Sequence, residues 1–183
     1  GAKRVLAEGV GAKLAPAEIA RVLDGIGGDV HEVQVHALSI TQASEFGQCY
    51  RPGEVAAIGA MARKHGMRLH MDGARFANAV AFLGCTPAAA SCAGGVDALS
   101  FGCVKNGGMG AEALVFFDPA LADAAGDAEQ QAVERRDALV EGHEAEGRIV
   151  ENQAVALLAF AELLLPDPYF CVCLKKLEGH FDR

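Results

Sequence analysis

The sequence predicts an α/β fold in which crossover helices connect the strands of a mostly parallel sheet. Short β-branched or apolar runs alternate with segments whose apolar residues recur at helical spacing. Gly or Pro stands at most boundaries between these segments. Half of the 183 residues (51%) are hydrophobic, so the chain can bury a substantial core. No apolar run approaches the roughly 20 residues that a membrane span requires.

The predicted elements follow one another from residue 16 to residue 117. Pro16 in a first turn and Gly25 after Asp24 predict a short helix. Residues 33–40, apolar on both faces, are typical of a buried parallel strand. The later elements are helices at residues 54–65, 74–83 and 87–93 and strands at residues 67–71, 96–101 and 113–117. Strands and helices joined by short loops are typical of crossover connections.

The charge of the chain changes after Phe117. Up to that residue there are ten acidic and ten basic residues, and from Asp118 onward there are fourteen acidic and six basic ones. All of the net charge of −8 therefore lies in the last third. We expect a boundary here, with one domain at residues 1–119 and a helical tail at residues 120–183, in which residues 120–150 and 152–165 favour helices.

Composition argues against several classes of function. A net negative charge is unlike the basic surface that binds nucleic acid. Without a secretory signal or an apolar span, the chain is expected to be soluble and cytoplasmic, with no membrane partner. The six cysteines form no C-x-x-C pair, so we interpret them as small buried residues of a reducing compartment and predict no metal site.

Polar clusters follow three of the predicted strands, at residues 42–50, 70–75 and 100–108. The carboxyl ends of parallel strands line the ligand crevice of an open α/β sheet, so these clusters should converge. Lys105 lies among glycines, where a desolvated amine of lowered pKa could attack a carbonyl carbon. A solvated loop lysine is the commoner interpretation of Lys105 taken alone.

Asp72, like Lys105, has a structural and a functional interpretation. It could cap the backbone N–H groups of the following residues, and Arg75 could simply pair with it. Together, however, a strand-end Asp and a loop Lys indicate pyridoxal phosphate, which needs a lysine for covalent attachment and an acid for its pyridine nitrogen. Metal-dependent hydrolysis at His70 and Asp72 is disfavoured, because no further ligand stands at a usable spacing.

Two motifs carry a resemblance to a known family. They read His-Met-Asp-Gly-Ala-Arg-Phe-Ala-Asn-Ala at residues 70–79 and Val-Asp-Ala-Leu-Ser-Phe-Gly-Cys-Val-Lys-Asn-Gly at residues 96–107. Together with residues 39–50 and 111–119, in the same order and spacing, they resemble the low-specificity threonine aldolases. This family belongs to the β-eliminating lyases, within the fold-type-I pyridoxal phosphate enzymes.

The resemblance implies a role for each polar cluster. Lys105 would bind pyridoxal phosphate covalently, Asp72 would hold the pyridine nitrogen, and Arg75 would bind the cofactor or the substrate carboxylate. Gln42 and Glu45 would contact the substrate from a loop that faces the cofactor. The implied reaction cleaves threonine, or a related β-hydroxy-α-amino acid, to glycine and an aldehyde. A homo-oligomer is also implied, because members of this family build their sites between subunits.

The resemblance covers only part of a family member. Residues 1–119 would form part of the large domain, whereas residues 1–29 lack the family's phosphate-binding turn and ring-stacking histidine. Residues 120–183 do not match the small domain, and Val104 stands where relatives usually have Ser or Thr. We therefore expect a truncated member. Another fold-type-I lyase or aminotransferase and a non-catalytic remnant that only pairs with a partner chain stay open as alternatives.

Overall fold

The computed structural model describes residues 4–26, 34–108, 110, 112–124 and 171–173. This part of the chain folds as a mixed α/β structure, as the sequence predicts. Its helices are α1 (Pro16–Asp24), α2 (Pro52–Lys64) and α3 (Phe76–Leu83). Its strands are β1 (Ala37–Thr41), β2 (Arg68–Asp72), β3 (Ala98–Gly102), β4 (Glu112–Phe116) and β5 (Cys171–Cys173).

The helices begin where side chains satisfy backbone donors that a first turn leaves unpaired. Ahead of α1, the Glu18 carboxylate accepts the N–H of Ala15 at 3.0 Å. Ahead of α2, the Glu54 carboxylate accepts the N–H of Arg51 at 2.7 Å. α2 begins two residues earlier than predicted, at Pro52, because a proline at the first helical position has no N–H to satisfy.

The five strands form one sheet in the order β1-β2-β3-β4-β5. The first three strands are parallel, with α2 and α3 as the crossover connections. β4 is antiparallel to β3, and β5 is antiparallel to β4. The register of the parallel strands aligns Thr41, Asp72 and Ser100, so the carboxyl ends of β1, β2 and β3 lie side by side.

The core lies on one face of the sheet. Alternate residues of β2 and β3 are buried there and pack with the inner face of α2; the set comprises Leu69, Met71, Leu99, Phe101, Val55, Ile58 and Ala62. The ring of Phe76 meets that of Phe101 edge to face, with centroids 6.5 Å apart. The other residues of β2, His70 and Asp72, therefore project from the opposite face of the sheet.

Some predicted elements differ from the observed ones. The first predicted strand begins only at Ala37, and residues 34–36 are not in a strand. The short helix predicted at residues 87–93 is replaced by turns and a 3₁₀ segment at Cys92–Gly94. The side chain of Ser91 donates to the carbonyl of Pro87 at 2.7 Å, which is a local bond that competes with a regular helix.

The tail is only partly described. Residues 119–124 are helical, and the rest of the helices predicted at residues 120–150 and 152–165 lies outside the described residues. β5 pairs with β4 through residues for which the sequence predicted no element. The division into domains at residues 1–119 and 120–183 stays a prediction. Among the helices described, none is long and apolar enough to cross a membrane.

Candidate active site

A cavity of about 240 Å³ opens at the carboxyl ends of β2 and β3. It is lined by His70, Asp72, Ala74, Ser100, Phe101, Gly102 and Glu112. Two of the three predicted polar clusters, those at residues 70–75 and 100–108, contribute to this lining. An imidazole and two carboxylates thus share one concave site at the sheet edge, which is where open α/β sheets bind ligands.

Asp72 ends β2 and lines the cavity. Its Oδ1 accepts the N–H of Ala74 at 3.0 Å. The capping interpretation is therefore confirmed for Ala74, although Asp72 caps a turn rather than α3, which begins later at Phe76. From the residues that the structure describes, Oδ2 accepts no hydrogen bond. One oxygen thus orients the carboxylate, and the other can accept a hydrogen from a ligand.

His70 is held between two serines of the neighbouring strands. Its Nδ1 lies 2.8 Å from Ser39 Oγ on β1, and its Nε2 lies 2.9 Å from Ser100 Oγ on β3. Burial lowers the pKa of His70, and the nearby charge of Asp72 opposes that shift. A neutral imidazole has one donor and one acceptor nitrogen, and a hydroxyl can complement either. The sequence placed His70 in a polar cluster expected at the site, but it predicted neither serine as a partner, because both are distant along the chain.

Lys105 lies in a 3₁₀ turn, Val104–Asn106, directly after β3. Its side chain is exposed, and the lysine is not among the residues that line the cavity. The backbone carbonyl of Lys105 accepts a hydrogen bond of 2.7 Å from Asn78 Nδ2 on α3. The lysine loop is therefore attached to the helix that follows Asp72.

A second attachment of this loop is the side chain of Asn106. Its Oδ1 accepts the N–H of Ala77 on α3 at 2.8 Å. Its Nδ2 donates to three backbone carbonyls, those of Gly73 (3.1 Å), Ala74 (3.2 Å) and Gly102 (2.6 Å). Sequence reasoning missed both asparagines; the only signal was an Asn directly after the loop lysine.

Arg75 and Glu45, both predicted site residues, lie close together. Arg75 Nη2 is 3.9 Å from Glu45 Oε1, so the arginine pairs with this carboxylate and not with Asp72. Glu45 belongs to the loop between β1 and α2 and is mostly exposed. Neither side chain lines the cavity. A partly exposed guanidinium held by a single weak ion pair remains able to bind a ligand carboxylate.

Gln42 is fully buried, unlike the other predicted site residues. Its Nε2 donates to the carbonyl of Tyr50, and its Oε1 accepts the N–H of Tyr50, both at 2.8 Å. The amide is used at both ends and does not reach the cavity. The two bonds give Gln42 a structural role, and the substrate contact that the resemblance implied stays a prediction.

Four cysteines of the described residues, Cys49, Cys85, Cys92 and Cys103, are free thiols. Burial raises the pKa of Cys49, against the nearby charge of Lys13. Burial, helped by Glu112, raises the pKa of Cys103. Both groups are thus protonated near neutral pH, unlike a nucleophilic or metal-binding thiolate. No group of three His, Cys, Asp or Glu residues converges as metal ligands in these ranges.

Comparisons with known proteins match most of the chain. A family model described as beta-eliminating lyase matches residues 2–164. Low-specificity L-threonine aldolases from a Pseudomonas strain and from Pseudomonas aeruginosa are each 47% identical over 123 residues, which are 67% of this chain and 35% of theirs. A solved threonine aldolase from Leishmania major is 32% identical, with a TM-score of 0.49, over 57% of this chain and 30% of that chain. The chain spans about a third of the length of the curated relatives it matches.

Proposed function

The chain belongs to the beta-eliminating lyase family, and we propose that it is part of a pyridoxal-phosphate-dependent aldehyde-lyase. The substrate is threonine or a related β-hydroxy-α-amino acid, and the products are glycine and an aldehyde. One observation carries the proposal: Asp72 lines the cavity at the end of β2, and the Lys105 loop is hydrogen-bonded to the turn and helix that follow Asp72. The names of the two Pseudomonas relatives support this substrate class.

Asp72 in the cavity and Lys105 in the loop after β3 offer two of the groups that the proposed cofactor needs. Pyridoxal phosphate, when bound, supplies an aldehyde that joins an amine and a ring that withdraws electrons from the bond being broken. Asp72 suits the ring nitrogen, because its Oδ1 is anchored while Oδ2 accepts no hydrogen bond from the described residues. Lys105 suits the aldehyde, because its exposed amine follows the strand next to β2.

Asp72, Lys105 and Arg75 have separate roles in the proposed reaction. Asp72 keeps a proton on the ring nitrogen, since a carboxylate beside it favours the charged form. The Nζ of Lys105 would hold the cofactor's aldehyde and would also carry a proton near the α-carbon of the substrate. The guanidinium of Arg75, which keeps only a weak ion pair with Glu45, binds the substrate carboxylate through its planar donors.

We also propose that the protein acts as a homo-oligomer in the cytoplasm. Large apolar side chains stand exposed on its surface, notably Phe46 at 83%, Phe82 at 79% and Val104 at 66%. Surface apolar groups of this size favour association. The free cysteines suit a reducing compartment.

The proposal is tested by trapping the cofactor on the chain. The 183-residue protein is mixed with pyridoxal phosphate, reduced with borohydride and mapped by peptide mass spectrometry. We expect the label on Lys105, its loss in Lys105→Ala, and weaker binding in Asp72→Asn. Lys64→Ala, which removes an exposed lysine at the end of α2, is the matched control and should keep the label.

Each outcome of this experiment separates the alternatives. Label spread evenly over several lysines, with none preferred, would refute the proposed site. Label on Lys105 without glycine formation from threonine, or from a panel of β-hydroxy amino acids, would favour the non-catalytic remnant. Activity on amino acids that lack a β-hydroxyl group would favour another fold-type-I lyase or aminotransferase.

A further inference from the structure

We propose that Asn106 is a positioning residue, which locks the Lys105 loop onto the turn after Asp72 so that the backbone of Lys105 and the carboxylate of Asp72 keep a set separation. The inference rests on the function proposed above, since that separation matters only to a ligand held by both groups. Asn106 lies within the motif at residues 96–107 that carries the family resemblance, but the resemblance implied no role for it.

The side-chain amide of Asn106 uses both of its donor hydrogens and its carbonyl oxygen. An asparagine offers two N–H donors and a carbonyl oxygen. Here the oxygen accepts one backbone N–H, and the two hydrogens serve three carbonyls, the shortest bond being 2.6 Å to Gly102. The contacts to Gly73 and Ala74, at 3.1 and 3.2 Å, are longer, as expected where one hydrogen is shared between two acceptors.

The partners of Asn106 lie on three separate elements. Gly102 ends β3, just before the lysine loop, and Gly73 begins the turn after β2. Ala77 is the second residue of α3, where a backbone N–H has no partner within the helix. Arg75, at the N-cap position, makes no capping bond with its side chain, so Asn106 caps α3 from across the site.

The four bonds of the Asn106 amide, called here the clamp, connect a loop whose own backbone bonds stay within it. The N–H groups of Asn106 and Gly108 donate to the Cys103 carbonyl at 3.0 and 2.8 Å, and neither bond reaches the turn after Asp72. Gly107, between them, has a φ of +88°, a conformation that glycine adopts readily. The bond from Asn78 to the Lys105 carbonyl is exposed, and water competes for it. Among the described residues, the half-buried amide of Asn106 is therefore the main tie between the lysine loop and the turn after Asp72.

A small displacement of this loop matters because the ligand is held at both ends. Groups that bind one rigid ring must be placed within a fraction of an ångström to act together. Removing the amide frees the loop to sample positions in which the lysine no longer meets the aldehyde of a cofactor bound at Asp72. Cofactor affinity and the rate of attachment to Lys105 should fall together.

The test compares Asn106→Ala with Asn78→Ala in the full 183-residue chain. The first measurement is hydrogen exchange without the cofactor. We expect peptides covering residues 73–79 and 103–108 to exchange about tenfold faster in Asn106→Ala, and much less so in Asn78→Ala. Unchanged exchange in Asn106→Ala would overturn the clamp, whether or not the chain binds pyridoxal phosphate.

The second measurement uses pyridoxal phosphate itself. In Asn106→Ala we expect its dissociation constant to rise and the rate of borohydride trapping on Lys105 to fall, each about tenfold, with a shifted pH midpoint of the bound cofactor's visible absorbance. Asn78→Ala should stay within about threefold of the wild-type values. Faster exchange with unchanged affinity, trapping rate and pH midpoint would reduce Asn106 to a structural role and overturn the proposal.

Two further variants keep the result decisive. If Asn106→Ala also speeds hydrogen exchange throughout α2, the variant has unfolded the domain. Asn106→Ser is then measured in its place, because a serine hydroxyl can still accept the Ala77 N–H. Asn106→Asp keeps the acceptor but directs a carboxylate at three carbonyl oxygens, so it should impair trapping at least as much as alanine does. A wild-type chain that never takes label on Lys105 would refute the proposed function, while exchange in the cofactor-free protein still decides the clamp.

Discussion

Replacing Gln42 with methionine separates a structural role from a substrate contact at this position. Gln42 is fully buried, and Tyr50 is 2% exposed, so neither backbone group of Tyr50 can turn to water instead. Methionine has nearly the same length but provides no donor or acceptor of comparable strength. The substitution therefore leaves the N–H and the carbonyl of Tyr50 unpaired in the interior.

The expected loss follows from these two bonds. Each buried backbone group left unpaired costs about 1–3 kcal/mol, and the easier burial of a thioether than of an amide offsets part of this sum. We expect the free energy of unfolding to fall by about 2–4 kcal/mol. Looser packing of Tyr50 should also reach the N-terminal segment, because the Tyr50 hydroxyl accepts the N–H of Leu14 at 2.7 Å.

Urea unfolding is the appropriate assay. For a domain of this size the loss corresponds to a midpoint lower by about 1–2 M. The matched control is Gln48→Met, the same substitution at an exposed position of the same loop, and it should change stability by no more than about 0.5 kcal/mol. Trapping of pyridoxal phosphate on Lys105 should be unaffected by Gln42→Met at temperatures where the variant is folded.

Two results would refute this reasoning. A change in the free energy of unfolding below about 1 kcal/mol would mean that the two bonds to Tyr50 are not needed for stability. A variant of wild-type stability that bound its amino acid substrate more weakly would return Gln42 to the substrate-binding role implied by the resemblance.

Three other predictions concern pH and packing. The pKa of His70 is lowered on folding, so the folded state loses stability as the pH falls below the ordinary value of 6.5. The free energy of unfolding measured from pH 8 to pH 5 should therefore fall with pH, and His70→Asn should flatten this pH dependence. Burial raises the pKa of Glu54, but its bonds to Lys13 and to a backbone N–H outweigh that effect, so the pKa is lowered on folding. Acid unfolding below pH 4.5 should therefore be less steep in Glu54→Gln. An unchanged unfolding profile would contradict a stabilising role of the Lys13–Glu54 ion pair. Gly59→Ala would drive a Cβ into a backbone carbonyl of the Cys92–Gly94 segment and should lower the free energy of unfolding by about 1–3 kcal/mol in thermal or urea unfolding. Gly53→Ala on the same helix meets open space and should be neutral or stabilising. Equal effects of the two variants would argue against close packing between α2 and the Cys92–Gly94 segment.

Local patterns were sufficient to predict most elements around the site. Pro16 and Gly25 bound α1 as predicted, and Gly84, with a φ of +62°, ends α3 where the sequence indicated. These signals can be read from the sequence because each depends on the backbone freedom of one residue or on neighbours within one turn. The same local signals predicted Asp72 at the end of one strand and Lys105 in the loop after another.

The interactions that organise the site were decided only by the tertiary structure. Asn106 meets Gly73 across 33 residues of sequence, and His70 meets Ser39 and Ser100 across 31 and 30. Whether such groups meet depends on strand order and register, and these are set by burying one face of the sheet rather than by any local preference. The sequence by itself determined which residues end the strands and which chemistry they offer. The packed sheet decided that Gln42 lies in the interior and that Asn106 holds the lysine loop, because both outcomes depend on hydrogen bonds between groups that come together only once the core has formed.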